Sequence, residues 1–347
     1  MKRVRLRFAK GLEVEFTDRQ QAVRQIEEIG ERGTYPVYLV YGPEGCGKTA
    51  LLLQARSILE EDFGYHVVYV NPLAEERDKT LLYTPTISDI VREVLGALPD
   101  PYSRIVDAAI AIASSVLKRF RKPRLALLMD DVFQAVGVDK AERYVKILLN
   151  LIEYPPGDYE RIVTLVTSSE GVTRERVGRH SWADMFILWN MPRMGFRELY
   201  DAIPGGKPPF EDVWRWAGGN PRLLAKLYEI DWSVERVVDS IVRGKRLEHL
   251  VASLGNRELE ILAETVNDPD ALFKRLREPE AQSLERKLIE NNLVIEVWSR
   301  DGHGWIDTPP PEKDPELGIG RYIAWQTPLH RETVRRALAR VGVREAA

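Results

Sequence analysis

Eight consecutive residues, Gly42 to Thr49 (GPEGCGKT), have the types and spacing to hold phosphate. They fit G-x-x-x-x-G-K-[ST] at Gly42, Gly47, Lys48 and Thr49. Gly42, Gly45 and Gly47 let the backbone curl so that successive N–H groups point inward at phosphate oxygens. Pro43, Glu44 and Cys46 complete the loop, and Ala50 follows it. Lys48 is suited to the β and γ phosphates of ATP, or to the β phosphate of ADP, and the Thr49 hydroxyl to Mg²⁺. Two further sets of residues match this chemistry. Asp130 and Asp131 close the apolar run LALLM, where Asp130 is the candidate for holding Mg²⁺ and Asp131 for polarising an attacking water. The alternative for Asp131 is a helix cap. Ser168 and Ser169 close the run IVTLVT, where either hydroxyl can report on a γ-phosphate or cap a helix instead.

An arginine fork suits phosphate oxygens better than lysine does. Arg174, Arg176 and Arg179 follow the serines, and Arg222 follows Gly219-Asn220-Pro221 at the start of a helical stretch. For the first three, a solvated helix face is the plain alternative. The one cysteine, Cys46, excludes an internal disulfide and points to a cytoplasmic location. The five histidines lack metal-ligand spacing.

The elements that must carry these residues follow from the apolar pattern. Val37–Tyr41, His66–Val70, Leu125–Met129, Ile162–Thr167 and Phe186–Trp189 are short apolar runs suited to buried parallel strands. They alternate with helical stretches at Asp18–Arg32, Lys48–Glu61, Ile87–Leu98, Ile105–Phe120 and Ala141–Tyr154. The expected fold is α/β, a parallel five-stranded sheet covered on both faces. After Asn190 the segments are helical, apart from one expected hairpin formed by Leu293–Trp298 and Gly320–Gln326. Three helices, that hairpin and a last helix over Arg331–Arg340 give a winged-helix order. The expected units are a core at 1–190, a helical lid at 191–247 and a winged helix at 248–347. The tryptophans at 214, 216, 298, 305 and 325 read as packing rather than as base-stacking platforms.

Composition narrows the function classes. Of the residues, 44% are hydrophobic and 30% charged, as expected of a folded chain of two or three domains. No run of about 18 apolar residues occurs, so no membrane span is expected. The start, MKRVRLRFAKGLEVEF, lacks the apolar stretch of a secretory signal. Net charge is −3, against a surface dedicated to nucleic acid. From Leu247 onward about 14 Lys and Arg face about 18 Asp and Glu. Arg331, Arg335, Arg336 and Arg340 do cluster on the last helix. DNA and a protein therefore both stay open as partner, with the charge favouring protein.

The loop GPEGCGKT, LALLMDD, the TSS strand tip and GGNPRLL occur in that order and together resemble the AAA+ and STAND ATPases. More narrowly, they resemble the archaeal ATPase family related to origin-recognition initiators. Phe16-Thr17-Asp18-Arg19 is similar to that family's motif before the first helix, which implies that Asp18 and Arg19 lie near the adenine. Gly178-Arg179 is similar to its Gly-Arg after the third motif, and Pro221 to a proline that contacts the base. Leu288–Val294 is similar to the stretch that enters a winged-helix hairpin. The resemblance implies a P-loop ATPase that uses Mg-ATP as a switch, in an oligomer or alone. An ATP-regulated DNA-binding initiator is the alternative. Two residues depart from the family pattern. Asp131 stands where a glutamate is usual, which implies slow turnover, and Gln20 stands where another acid is common.

Overall fold

Side chains alternate across a strand, so a run apolar at every position is stable only with both faces covered. That is the arrangement found in the computed structural model, which describes residues 2–101, 104–169, 171, 176–297 and 300–342. The chain opens with β1 (Arg5–Ala9) and β2 (Leu12–Glu15), then α1 (Gln20–Arg32), β3 (Val37–Tyr41), α2 (Lys48–Glu61), β4 (His66–Val70) and β5 (Leu81–Tyr83). Next come α3 (Ser88–Gly96), α4 (Ile105–Arg119), β6 (Arg124–Met129), α5 (Val132–Val136), α6 (Ala141–Glu153), β7 (Arg161–Ser168) and β8 (Ala183–Leu188). The rest is mainly helical: α7 (Arg193–Asp201), α8 (Phe210–Ala217), α9 (Pro221–Glu229), α10 (Val234–Gly244), α11 (Leu247–Ala252), α12 (Asn256–Asn267), α13 (Asp270–Lys274) and α14 (Pro279–Glu290). It ends with β9 (Val294–Glu296), β10 (Trp305–Ile306), β11 (Ile323–Trp325) and α15 (Pro328–Val341).

The central sheet has the order β10-β8-β3-β7-β6-β4-β5. Five strands, β8-β3-β7-β6-β4, pair in parallel as expected. The expected count of five is corrected to seven: β5 adds antiparallel to β4, and β10 adds in parallel to β8. These two strands are three and two residues long, too short to show a period. The last of the expected strands also shifts, to Ala183–Leu188.

Alternate residues of each strand feed separate cores. Leu125, Leu127 and Met129 of β6 pack with α3, α4 and α6. Ala126 and Leu128 pack with α1 and α2. A third core joins α7 to α12 with α14, α15 and the antiparallel pair β9–β11. Trp305 and Trp325 are fully buried, as packing residues should be; Trp298 lies outside the described residues. The β1–β2 hairpin was not anticipated, although its burial alternates around the Lys10-Gly11 turn. Among the described residues no helix is long and apolar enough to cross a membrane.

Candidate nucleotide-binding site

The sheet order decides how the site is assembled. β3 ends at Tyr41, α2 starts at Lys48, and the loop GPEGCGKT turns between them. Its glycines answer to space as well as conformation. A Cβ on Gly42 would stand 2.0 Å from the Leu188 carbonyl oxygen. Gly45 has φ +79°, and a Cβ there would stand 2.4 Å from Cβ of Arg222. Lys48 is buried and its Nζ donates to the carbonyls of Gly42 and Pro43, both at 2.9 Å. Cys46 is buried with Sγ directed at the Leu188 carbonyl, 3.3 Å away, which is a packing role.

The carboxylate strand is not beside β3. β7 lies between β3 and β6, and Ser168 pairs in register with Tyr41. Asp130 therefore reaches the loop across β7, and residues of β7, of β4 and of the segment just after β4 converge on it. Its Oδ1 accepts from Thr167 at 2.7 Å, and its Oδ2 from Tyr69 at 2.9 Å and Asn71 at 3.0 Å. Burial pushes its pKa up, the hydrogen bond from Thr167 opposes that, Asp131 adds to it, and the Thr49 hydroxyl also bonds the carboxylate. Burial and the neighbouring Asp130 likewise raise the Tyr69 phenol.

Thr49 is exposed with a buried carboxylate behind it, the donor pair expected of a magnesium site. Among the described residues no group of three or more His, Cys, Asp and Glu could hold a metal ion. Mg²⁺ takes one or two protein oxygens and completes its shell with water and phosphate, so Thr49 and Asp130 are the residues here that could hold it.

Asp131 has φ +47° and sits where it would cap α5, but its side chain makes no cap bond. Instead Oδ1 accepts from the Ser169 N–H at 2.7 Å and Oδ2 from the Ser169 hydroxyl at 3.0 Å. The two serines are thereby distinguished: Ser168 is buried at the strand end, while Ser169 holds Asp131.

Residues distant in sequence then fasten the loop. Arg19 is buried and forms a 2.7 Å ion pair with Asp307. Its second terminal nitrogen donates to the carbonyls of Cys46 and Trp189. Asp18 Oδ2 is buried and accepts no hydrogen bond; burial first, and Asp307 second, raise its pKa. Pro221 opens α9, whose cap Asn220 accepts from the Leu223 N–H and donates to the Glu44 carbonyl and to Asn190. The Arg222 N–H donates to the Gly45 carbonyl, leaving its side chain exposed beside the loop.

The Glu44 N–H donates to Oε1 of Gln326, 2.9 Å away. Gln326 also accepts from Asn190 through its backbone carbonyl. Burial favours the neutral Glu44 acid, yet Lys245 and Arg222 outweigh that and hold its pKa low. A small cleft lined by Gly42, Ser169, Glu296 and Gln326 lies between the loop and the C-terminal part.

Arg179 and Arg176 are exposed on the segment leading to β8, and Arg174 lies outside the described residues. Tyr69, Asn71, Thr167, Asn190, Asp307 and Gln326 were not anticipated. Asn71 and Asn190 carried a sequence signal, each as the polar residue just beyond an expected strand.

Among curated proteins none matches this chain. The Walker-type ATPase paby2304 of Pyrococcus abyssi is similar in fold, with a TM-score of 0.51 and 15% identity over 92% of this chain and 96% of its own. Cdc6p of Pyrobaculum aerophilum gives a TM-score of 0.42 at 14% identity, covering 92% and 93%. The Aeropyrum pernix ORC1 protein, solved with DNA, gives 0.38 at 15% identity, covering 94% and 93%. The likeness of fold rests on the first. Residues 16–227 match the ATPase domain found predominantly in Archaea, and since they span more than half of the chain, the protein belongs to that archaeal ATPase family.

Proposed function

We propose that this ATPase is a conformational switch, in which Mg-ATP binding and slow hydrolysis change how residues 248–347 are held against the phosphate loop. The hydrogen bond between the Glu44 N–H and Gln326 Oε1 carries the reading. It links residues 282 apart and engages a backbone donor of the loop itself. A ligand can shift such an arrangement only if it interacts differently with the two states. Phosphates gathered by the loop N–H groups meet that condition, because Gln326 uses one of the same donors.

The loop, Lys48 and Ala50 bind the phosphates, and Asp18, Arg19 and Pro221 border the base. The buried acceptor on Asp18 suits an exocyclic amino group. Thr49 and Asp130 hold magnesium, which when bound neutralises phosphate charge. Asp131 orients water, Ser168 senses the γ-phosphate, and Arg179 and Arg222 are the candidate cationic arms. Both Asp131 oxygens are engaged by Ser169, and the side chain is a methylene shorter than glutamate, so turnover is slow. The units are the core 1–190, the lid 191–247 and the winged helix 248–347. The partner is a protein: from Leu247 onward acids outnumber bases, and Arg340 is paired with Asp239 and Glu248, so no continuous cationic track for DNA is offered.

Amide hydrogen exchange tests the switch. Mg-ATP is expected to raise exchange in 293–297 and 323–330 relative to the nucleotide-free chain, while it protects 42–50. Protection of 42–50 with no change in the C-terminal segments would overturn the switch and leave nucleotide binding standing.

A further inference from the structure

A groove of about 460 Å³ runs between α8, the start of α10 and α15, away from the phosphate loop. Its floor is apolar: Trp216, Trp232, Pro328 and Leu329. The two tryptophans are half-buried. The Trp232 N–H is already given to the Gly206 carbonyl, so its ring offers a flat apolar surface rather than a donor. Four arginines line the groove, Arg215, Arg331, Arg335 and Arg336, against two glutamates, Glu235 and Glu332. The chain as a whole carries a net −3, so this is a local reversal of sign in a concave site.

The cations are also ordered. Arg335 and Arg336 both contact Glu332, at 2.9 and 3.2 Å, which holds their side chains in place on the groove wall. Arg331 donates to the carbonyls of Pro315 and Glu316, while its buried Nε has no hydrogen-bond partner. Arg215 is exposed and only loosely paired, 3.6 Å from Asp212.

We propose that this groove docks a short acidic segment of a partner protein, with one aromatic or aliphatic side chain seated at the two tryptophans and its carboxylates on Arg215 and Arg336. Buried aromatic anchors ringed by charge are how such sites gain both energy and register. A continuous nucleic-acid strand fits less well. It needs a positive track beyond the groove, whereas Asp212 stands beside Arg215, Asp231 precedes Trp232, and Glu235 lies on the wall. The position has a consequence for the switch. Pro328 and Leu329 lie two and three residues after Gln326, so an occupant bears on the segment that touches the phosphate loop. That consequence rests on the switch reading; the docking site does not.

The test is fluorescence anisotropy on the full chain with three labelled probes. One is a short peptide of aspartate and glutamate around a single phenylalanine, the second is its Asn/Gln counterpart, and the third is oligo(dT). The acidic peptide is expected to bind, and the amide counterpart about tenfold more weakly or less. Arg215→Glu is expected to weaken the acidic peptide about fivefold to tenfold, and Glu235→Lys to strengthen it. Both variants should bind a fluorescent ATP analogue as wild type does, which shows that they fold. No saturable binding of the acidic peptide, indifference to Arg215→Glu, or oligo(dT) binding that depends on Arg215 would each overturn the proposal. Peptide binding combined with unchanged C-terminal exchange under Mg-ATP would retain the groove and remove the switch.

Discussion

Gln326→Ala isolates the contact on which the switch depends. The substitution deletes Oε1 and its 2.9 Å bond from the Glu44 N–H. It keeps the backbone bonds of residue 326, to Asn190 and to the Leu293 carbonyl. Glu44 is half-buried, so water can replace the lost acceptor and the variant folds. One such bond is worth about 0.5–1.5 kcal/mol net. If ATP and Gln326 compete, the apparent ATP affinity rises by the factor removed from the closed state, about twofold to twelvefold. Gln326→Glu should act in the opposite sense. It places a carboxylate beside the loop, where it repels phosphate, so ATP binding weakens while the fold persists. Titration of a fluorescent ATP analogue reads both variants. An unchanged or weaker affinity for Gln326→Ala would refute the competition, whatever the glutamate variant does.

Three further outcomes are expected. Lys48→Ala should weaken ATP binding about a hundredfold or more, while circular dichroism shows a wild-type fold, since among the described residues Nζ otherwise bonds only atoms of its own loop, the Gly42 and Pro43 carbonyls and the Cys46 sulfur. Micromolar binding by that variant would remove Lys48 from the site. Asp131→Asn should lower phosphate release at least about tenfold, as expected when a water-orienting group loses its basicity. Equal release from wild type and variant would assign Asp131 a structural role through Ser169.

His330 supplies a pH test. Burial first, and Lys245 second, lower its pKa to about 3, so the folded state holds the neutral ring, bonded to Thr327. Below its unfolded value of 6.5 the unfolded chain binds the proton and the native state does not, so stability falls with pH from about 6.5 down to about 3. At pH 5 the loss from this one group is about 2 kcal/mol relative to pH 7. Denaturant melts of wild type and His330→Gln between pH 5 and 7 compare the slopes, and parallel slopes would refute the assignment.

Much of the site was legible because its chemistry is local. The phosphate loop needs three glycines, a lysine and a threonine within eight residues, with an apolar strand before and a helix after. The acids and serines at the tips of LALLM and IVTLVT were equally readable, since a buried parallel strand exposes its polar residues only at its end. What those residues do to one another was not. That Asp131 is held by Ser169 instead of capping α5 depends on β7 lying between β3 and β6, and strand order is a property of the folded sheet.

The sequence by itself determined the phosphate loop, the strand–helix alternation and the archaeal ATPase family, because each is written in contiguous residues. Only the tertiary structure decided how distant segments close on that loop. The Arg19–Asp307 pair, the Glu44–Gln326 bond, the β10 strand on the sheet edge and the arginine-lined groove all join segments far apart in the chain. No periodicity marks such residues, since a lone glutamine or aspartate acquires its role only when packing has excluded water and left it a single partner.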